Sequence, residues 1–160
     1  MWRLGGFCVC LCLASCGSSK YGDHPPFPVS GQLLVNGQPV KGVRVVLYHL
    51  GDWGDQKSIV PQAWTDDDGQ FVLETYGVKD GAPAGDYQVT VEWPAYRRGK
   101  EWGPDKLGGK YAKPETSGLT AHVDKGTNKL EPFALTINDA QAKRNEAVDA
   151  QWQRKKGKNR

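Results

Sequence analysis

The sequence predicts an all-β domain of short antiparallel strands, and three observations carry that prediction. Twenty Gly and ten Pro in 160 residues, with 38% hydrophobic residues, describe many short elements joined by turns and leave little room for long helices. Asp68-Gly69 sits between two β-type runs. There Gly, which has no Cβ, and Asp, which tolerates the left-handed region, can supply the positive φ values of a two-residue hairpin turn. Finally, Tyr87, Val89, Val91 and Trp93 alternate with Gln88, Thr90 and Glu92, the period of a strand with one buried face. A chain of this length supports one domain with one core, so a sandwich or a barrel is expected.

The N-terminus has a different character. All four cysteines, Cys8, Cys10, Cys12 and Cys16, lie in the first sixteen residues, so none can staple the domain. Arg3 followed by an apolar run over residues 4–14 has the form of a secretory signal and is too short to span a membrane as a helix. The run ends in Leu13-Ala14-Ser15-Cys16, which resembles the bacterial lipobox and implies that Cys16 is lipidated and becomes the mature N-terminus. Residues 1–15 are then a lipoprotein signal peptide, and the protein is an extracytoplasmic, membrane-anchored lipoprotein of the periplasm or cell surface. Residues 16–28 are small, polar and Pro-rich and read as a stalk.

The domain occupies residues 29–137. Val29, Leu33 and Val35 share one face of a strand that ends at Asn36-Gly37, a strong hairpin signal. Val43, Val45 and Leu47 alternate in a second strand, expected to be central and covered on both faces. Residues 51–58 form a polar loop carrying Trp53, and extended chain through Trp64 and Thr65 leads into the Asp66-Asp67-Asp68-Gly69 turn. Phe71 and Leu73 point inward beyond it, residues 80–85 reverse the chain, and residues 86–93 form the alternating strand. Residues 94–118 show no sustained period, and a connection of this length is uncommon unless it is functional or mobile. Leu119, Ala121 and Val123 then alternate, and Phe133, Leu135 and Ile137 close the sheet, with Pro132 forcing an edge or a bulge. Residues 138–160 are a basic tail, with seven Lys/Arg against Glu146 and Asp149 from residue 143 onward. Asn138 or Asp139 can cap a helix there, but its apolar face is thin, so a partly formed, frayed helix is expected.

Val29-Ser30-Gly31-Gln32-Leu33, Asn36-Gly37-Gln38-Pro39-Val40, Gly42-Val43-Arg44-Val45, Thr65-Asp66 through Gly69-Gln70-Phe71 and Gly85-Asp86-Tyr87-Gln88-Val89-Thr90-Val91 together resemble the carboxypeptidase regulatory-like (transthyretin-like) domain. Lys110-Tyr111 and Thr116-Ser117-Gly118-Leu119-Thr120 look like the version found in lipoproteins of planctomycete-type bacteria. The resemblance implies a seven-stranded Greek-key β-sandwich, non-catalytic and often attached to a larger protein or a membrane. Thr65, Asp68, Gly69 and Phe71 are its turn and structural positions. One transthyretin-like branch hydrolyses 5-hydroxyisourate and ends in a Tyr-Arg-Gly-Ser tail, which Tyr96-Arg97-Arg98-Gly99 echoes only in mid-chain.

Chemistry is sparse. Asp66, Asp67 and Asp68 invite a Ca²⁺ reading, but adjacent side chains on a strand end diverge and the EF-hand spacing is missing, so a turn is preferred. His24, His49 and His122 are far apart in sequence, and no nucleophile motif is present. No metal, cofactor or catalytic residue is assigned. Convergence of His49, His122 and Arg44 in one cleft would instead indicate a hydrolase. Trp53, Tyr96, Trp102 and Tyr111 lie in polar loops, where aromatics can stack on sugars, dock a partner, or cap a small sandwich. The expected function is a binding or structural module of the cell envelope, held to the membrane by the lipid on Cys16. Its partner would be an envelope protein or a glycan, and nucleic acid is not expected outside the cytoplasm.

Overall fold

A computed structural model describes residues 24–51, 60–98 and 101–158. Cys16, the signal region and Trp53 lie outside the described residues. The chain begins with β1 (Pro26–Phe27) and β2 (Val29–Val35), turns into β3 (Gln38–Pro39) and continues with β4 (Arg44–His49), β5 (Gln62–Trp64) and β6 (Gln70–Val72). Next come β7 (Ala82–Pro83), β8 (Gly85–Glu92), β9 (Arg97–Arg98), β10 (Glu101–Trp102) and the short α1 (Pro114–Ser117). The chain closes with β11 (Leu119–Val123), β12 (Asn128–Lys129), β13 (Phe133–Leu135) and α2 (Asp139–Lys158). The described residues thus hold thirteen β segments, six of them only two residues long, where the resemblance implies seven strands.

Two sheets enclose the core. One has the antiparallel order β11-β8-β4-β5. The other is built on β2, with β3 and β6 antiparallel on one side and β12 and β13 on the other. Both β12 and β13 run parallel to β2, a departure from the all-antiparallel expectation. They pair with Val29–Ser30 and Leu33–Val35 respectively and leave the ladder around Pro132, whose missing N–H cannot contribute a rung. Leu33, Val35, Phe71 and Leu135 from the β2 sheet meet Val45, Leu47, Tyr87, Val89 and Val91 from the other in one buried cluster. Trp93, expected inward with them, is only partly buried at its margin.

Local chemistry explains several elements. Asn36 (φ +50°) and Gly37 (φ +78°) form the two-residue turn between β2 and β3, and the Asn36 side chain also clasps Ile137, accepting from its N–H at 3.1 Å and donating to its carbonyl at 3.3 Å. Gly31 faces Phe71 across the ladder, and a Cβ there would lie 2.4 Å from the Phe71 ring. The absent side chain lets that ring cross β2 and stack on Phe133, with centroids 6.2 Å apart.

The acidic turn differs from the expected two-residue hairpin. Gly69 has φ +68°, whereas Asp68 is not among the residues with positive φ. The Gly69 N–H donates to the Asp66 carbonyl at 3.1 Å and the Asp66 N–H to the Gln70 carbonyl at 2.9 Å, giving a wider turn with one left-handed residue. The strands on either side then separate, β5 joining β4 and β6 joining β2, so the turn passes the chain from one sheet to the other. Thr65 anchors the crossing from inside: its hydroxyl accepts from the Val43 N–H at 3.0 Å and donates to the Val40 carbonyl at 2.7 Å.

Three further expectations are revised. Pro26–Phe27, read as stalk, pairs with Ala82–Pro83, because Phe27 gives that stretch some apolar surface to bury. Residues 94–118 are organised as the β9–β10 hairpin, a turn and α1. The organiser is Asp105, whose carboxylate accepts from the N–H groups of Trp93 (2.8 Å), Leu107 (3.0 Å) and Gly109 (2.8 Å), and Leu107 and Tyr111 are core residues. Finally, α2 is a twenty-residue helix capped by Asn138, whose side chain accepts from the Gln141 N–H at 2.8 Å. Few aliphatic contacts are needed to hold it. Trp152 stacks on Tyr96, Asp149 pairs with Lys106 at 2.6 Å, and Asn145 donates to the Lys106 carbonyl at 2.9 Å.

Candidate binding face

The register of the four-stranded sheet decides which side chains share its outer face. Arg44 pairs with Trp64 on one side and Glu92 on the other, and Val46 pairs with Gln62 and Thr90. Paired residues project to the same side of a sheet. Val45, Leu47 and Val91 fill the core, so Arg44, Trp64, Glu92 and Gln62 project outward. Val46 and Thr90 are buried beside them, but Tyr48 on the same face of β4 is exposed, so β4 is central in its sheet and its outer face is covered only in part, where full cover was expected.

These residues hold one another in fixed geometry. Arg44 donates to the Gln62 side-chain oxygen through Nε (3.2 Å) and Nη2 (2.9 Å) and to Glu92 through Nη1 (3.4 Å). Trp102 arrives from the β9–β10 hairpin, its ring 5.2 Å beneath the Arg44 guanidinium and edge-on to Trp64 at 5.5 Å and 71°. Trp102 remains 41% exposed, and Trp64 is half-buried. Trp64 also borders a groove of about 270 Å³ with Val72 and Val78.

This face lies at one pole of the domain. Arg44 opens β4 and Glu92 closes β8, whereas β1 enters beside β7, immediately before the first residue of β8. Seven residues of strand separate Gly85 from Glu92, roughly 23 Å.

The loop aromatics have separate fates. Tyr96 is covered by Trp152, with centroids 3.9 Å apart and planes 7° from parallel. Tyr111 is a core residue only 7% exposed, and its hydroxyl accepts from the Thr136 N–H at 3.3 Å, so its ring is not available to a partner. Trp102 is presented to solvent, and Trp53 is outside the described residues. Among the turn residues, Thr65, Gly69 and Phe71 are buried and Asp68 is exposed.

The groups weighed for catalysis do not converge. His49 shares the core face with Tyr87, edge-on at 5.2 Å, and accepts from the Gly51 N–H at 2.8 Å. The Tyr87 hydroxyl donates to the Pro83 carbonyl at 2.7 Å, and burial pushes its pKa well above the usual range. His122 pairs with Asp86 on the outer face at 2.6 Å and approaches Asp124 at 3.4 Å. Hydrogen bonding to Asp86 raises its pKa. Arg44 stands at the other end of β4, about 17 Å along the strand from His49. The three aspartates divide their work as well: Asp66 accepts from the N–H groups of Asp68 (3.0 Å) and Gln70 (2.8 Å), Asp67 pairs with Lys41 at 2.9 Å, and the Asp68 carbonyl accepts from Gln32 at 3.1 Å. Among the described residues, no group of three or more His, Cys, Asp or Glu could hold a metal ion.

Sequence reasoning missed Arg44, Gln62, Trp64 and Glu92 as a set. Alternation placed Glu92 and Arg44 opposite the core residues of their strands, but only the pairing of β4 with both β5 and β8 brings them together.

Residues 30–90, from β2 into β8, match the model of the transthyretin-like family. No curated protein matches the chain. A DUF3823 family protein from Parabacteroides merdae is similar in structure, with TM-score 0.39 and 18% identity over 72% of this chain and 47% of that one, so the chain spans about half of that protein's length. A proposed carbohydrate-binding protein from Pseudomonas aeruginosa is similar with TM-score 0.37 and 15% identity, over 74% of this chain and 92% of that one. The chain is thus a mostly β protein whose residues 30–90 are similar to the transthyretin-like family.

Proposed function

We propose that the protein is a lipid-anchored, extracytoplasmic binding module of the bacterial cell envelope, without catalytic activity of its own, and a lipoprotein of the planctomycete type. The observation that carries the binding role is the outer face at Arg44, Gln62, Glu92, Trp64 and Trp102. It combines an exposed aromatic ring with polar groups already held in place, a composition suited to recognition. Its position supports the tethered arrangement. The chain enters the domain at β1, beside the start of β8, whereas the face lies at the end of β8, so a tether at Cys16 followed by a Pro-rich stalk would present it away from the membrane.

The dispersal of His49, His122 and Arg44 supports a non-catalytic role, since an acid–base site needs groups within hydrogen-bond reach of one reacting centre. Cell fractionation tests the anchor: the full chain should partition with membranes, and Cys16→Ser should release it to the soluble extracytoplasmic fraction. Retention of Cys16→Ser in membranes would remove the lipid anchor. Capture of an envelope component by the full chain, lost on substitution at the outer face, tests the binding role.

A further inference from the structure

We propose that the outer face at Trp102 binds a neutral pyranose polysaccharide, an inference that rests on the binding-module reading and names its ligand class. The argument starts from the hydrogen-bonding groups left over once the internal network is made. A guanidinium has five N–H donors, and Arg44 commits three of them, two to Gln62 and one to Glu92. Gln62 uses its side-chain oxygen as the acceptor, and its amide N–H groups make no bond with the described residues. Glu92 accepts through Oε2, leaving Oε1 as an acceptor. Remaining donors on Arg44 and Gln62 therefore lie next to a remaining acceptor on Glu92.

A ligand that satisfies this arrangement must both donate and accept over a short distance, as neighbouring hydroxyls do. A carboxylate ligand could use Arg44 but would oppose Glu92, and an ammonium would do the reverse. The Arg44–Glu92 pair, with the two side chains 25% and 37% exposed, cancels its own charge locally and so favours an uncharged ligand. Trp102 supplies the complementary half. Its ring lies beneath Arg44 yet stays 41% exposed, and the apolar C–H face of a pyranose is a flat surface of a size to stack on the part of the ring that Arg44 leaves open. Trp64 braces the indole edge-on and Arg44 lies over it, so the platform needs little ordering when ligand binds, which favours affinity.

Affinity electrophoresis of the purified full chain in mild detergent tests this, with neutral β-glucan, mannan or xylan in the gel and polygalacturonate as the acidic comparison. The expected result is retardation by at least one neutral polysaccharide and not by polygalacturonate. Trp102→Ala and Gln62→Ala should each weaken retardation about tenfold. Glu92→Gln keeps hydrogen-bonding capacity but removes the compensating charge, and should add retardation by polygalacturonate. Trp102 and Gln62 lie outside the core, and unchanged melting temperatures would confirm folded variants. Retardation by polygalacturonate alone, neutral binding unaffected by both alanine variants, or no retardation by any neutral polysaccharide would each overturn the proposal. In the last case, capture of an envelope protein by the same chain would leave the binding-module reading standing, and capture of nothing would remove both.

Discussion

The indole of Trp152 lies flat on the ring of Tyr96, with centroids 3.9 Å apart and planes 7° from parallel. That contact joins α2 to the hairpin connection after β8, beside the Lys106–Asp149 ion pair. Stacked aromatic pairs contribute about 0.5–1.5 kcal/mol beyond their area burial. Trp152→Ala should therefore loosen the distal half of α2 and leave the sheets intact. Hydrogen exchange should quicken in the second half of α2 and stay slow in β4 and β8. Uniform acceleration would show that the helix is integral to the core.

Thr65 is the buried polar group on which the crossing between sheets depends. Thr65→Val preserves shape but strands the Val43 N–H and the Val40 carbonyl. Leaving buried backbone groups unpaired costs about 1–3 kcal/mol. Thermal unfolding should begin several degrees lower, whereas Thr65→Ser, which keeps the hydroxyl, should recover most of the loss. Equal melting temperatures for Thr65→Val and the parent would show that the hydroxyl is dispensable.

Gly31→Ala tests the passage of Phe71 over β2. The added Cβ would meet the ring at 2.4 Å, closer than any side chain tolerates, and overpacking of this kind costs about 1–3 kcal/mol. The pairing of Gly31→Ala with Phe71→Leu should be less damaging than the sum of the two changes, because the leucine vacates the space. Strict additivity in denaturant melts would contradict direct contact.

His122 gives a signed pH dependence. Its hydrogen bond to Asp86 raises its pKa above the ordinary histidine value, with Asp124 adding to the shift. The folded state thus holds the proton more tightly than the unfolded chain, and this contribution is complete at pH below the unfolded pKa and lost as pH rises through the folded one. The side chain is exposed, so the effect on stability is small and salt-sensitive. NMR titration of His122 should show the raised pKa, returning toward the ordinary value in Asp86→Asn. A titration unmoved by that change would assign the shift elsewhere.

Much of the domain is legible in the chain because period-two alternation needs no partner to be read. Tyr87, Val89 and Val91, like Leu33 and Val35, are buried in the order their spacing predicts, since in a strand the backbone alone sends alternate side chains to opposite faces. Asn36-Gly37 is legible for a similar local reason, positive φ being a property of the residues in the turn. By contrast, nothing local distinguishes Asp105 from any other loop aspartate. Its carboxylate organises residues 93–109 only because the chain folds back to bring three N–H groups to it. Nor does a thin apolar face reveal that α2 would dock, because its hold comes from Trp152, Asp149 and Asn145 meeting partners forty or more residues away or nearly so.

By itself the sequence determined the alternating strands from Val29, Val43, Tyr87 and Phe133, the Asn36-Gly37 turn and the burial of their inward side chains, since these follow from local backbone geometry and the repeat of apolar residues. It also carries the expectation of a lipid on Cys16. Tertiary structure alone decided that the Asp66–Gly69 turn crosses between sheets, that β12 and β13 run parallel to β2, and that Arg44, Gln62, Glu92, Trp64 and Trp102 share one face. Strand pairing over long separations is selected by the packing of the whole core, and no short stretch of residues encodes it.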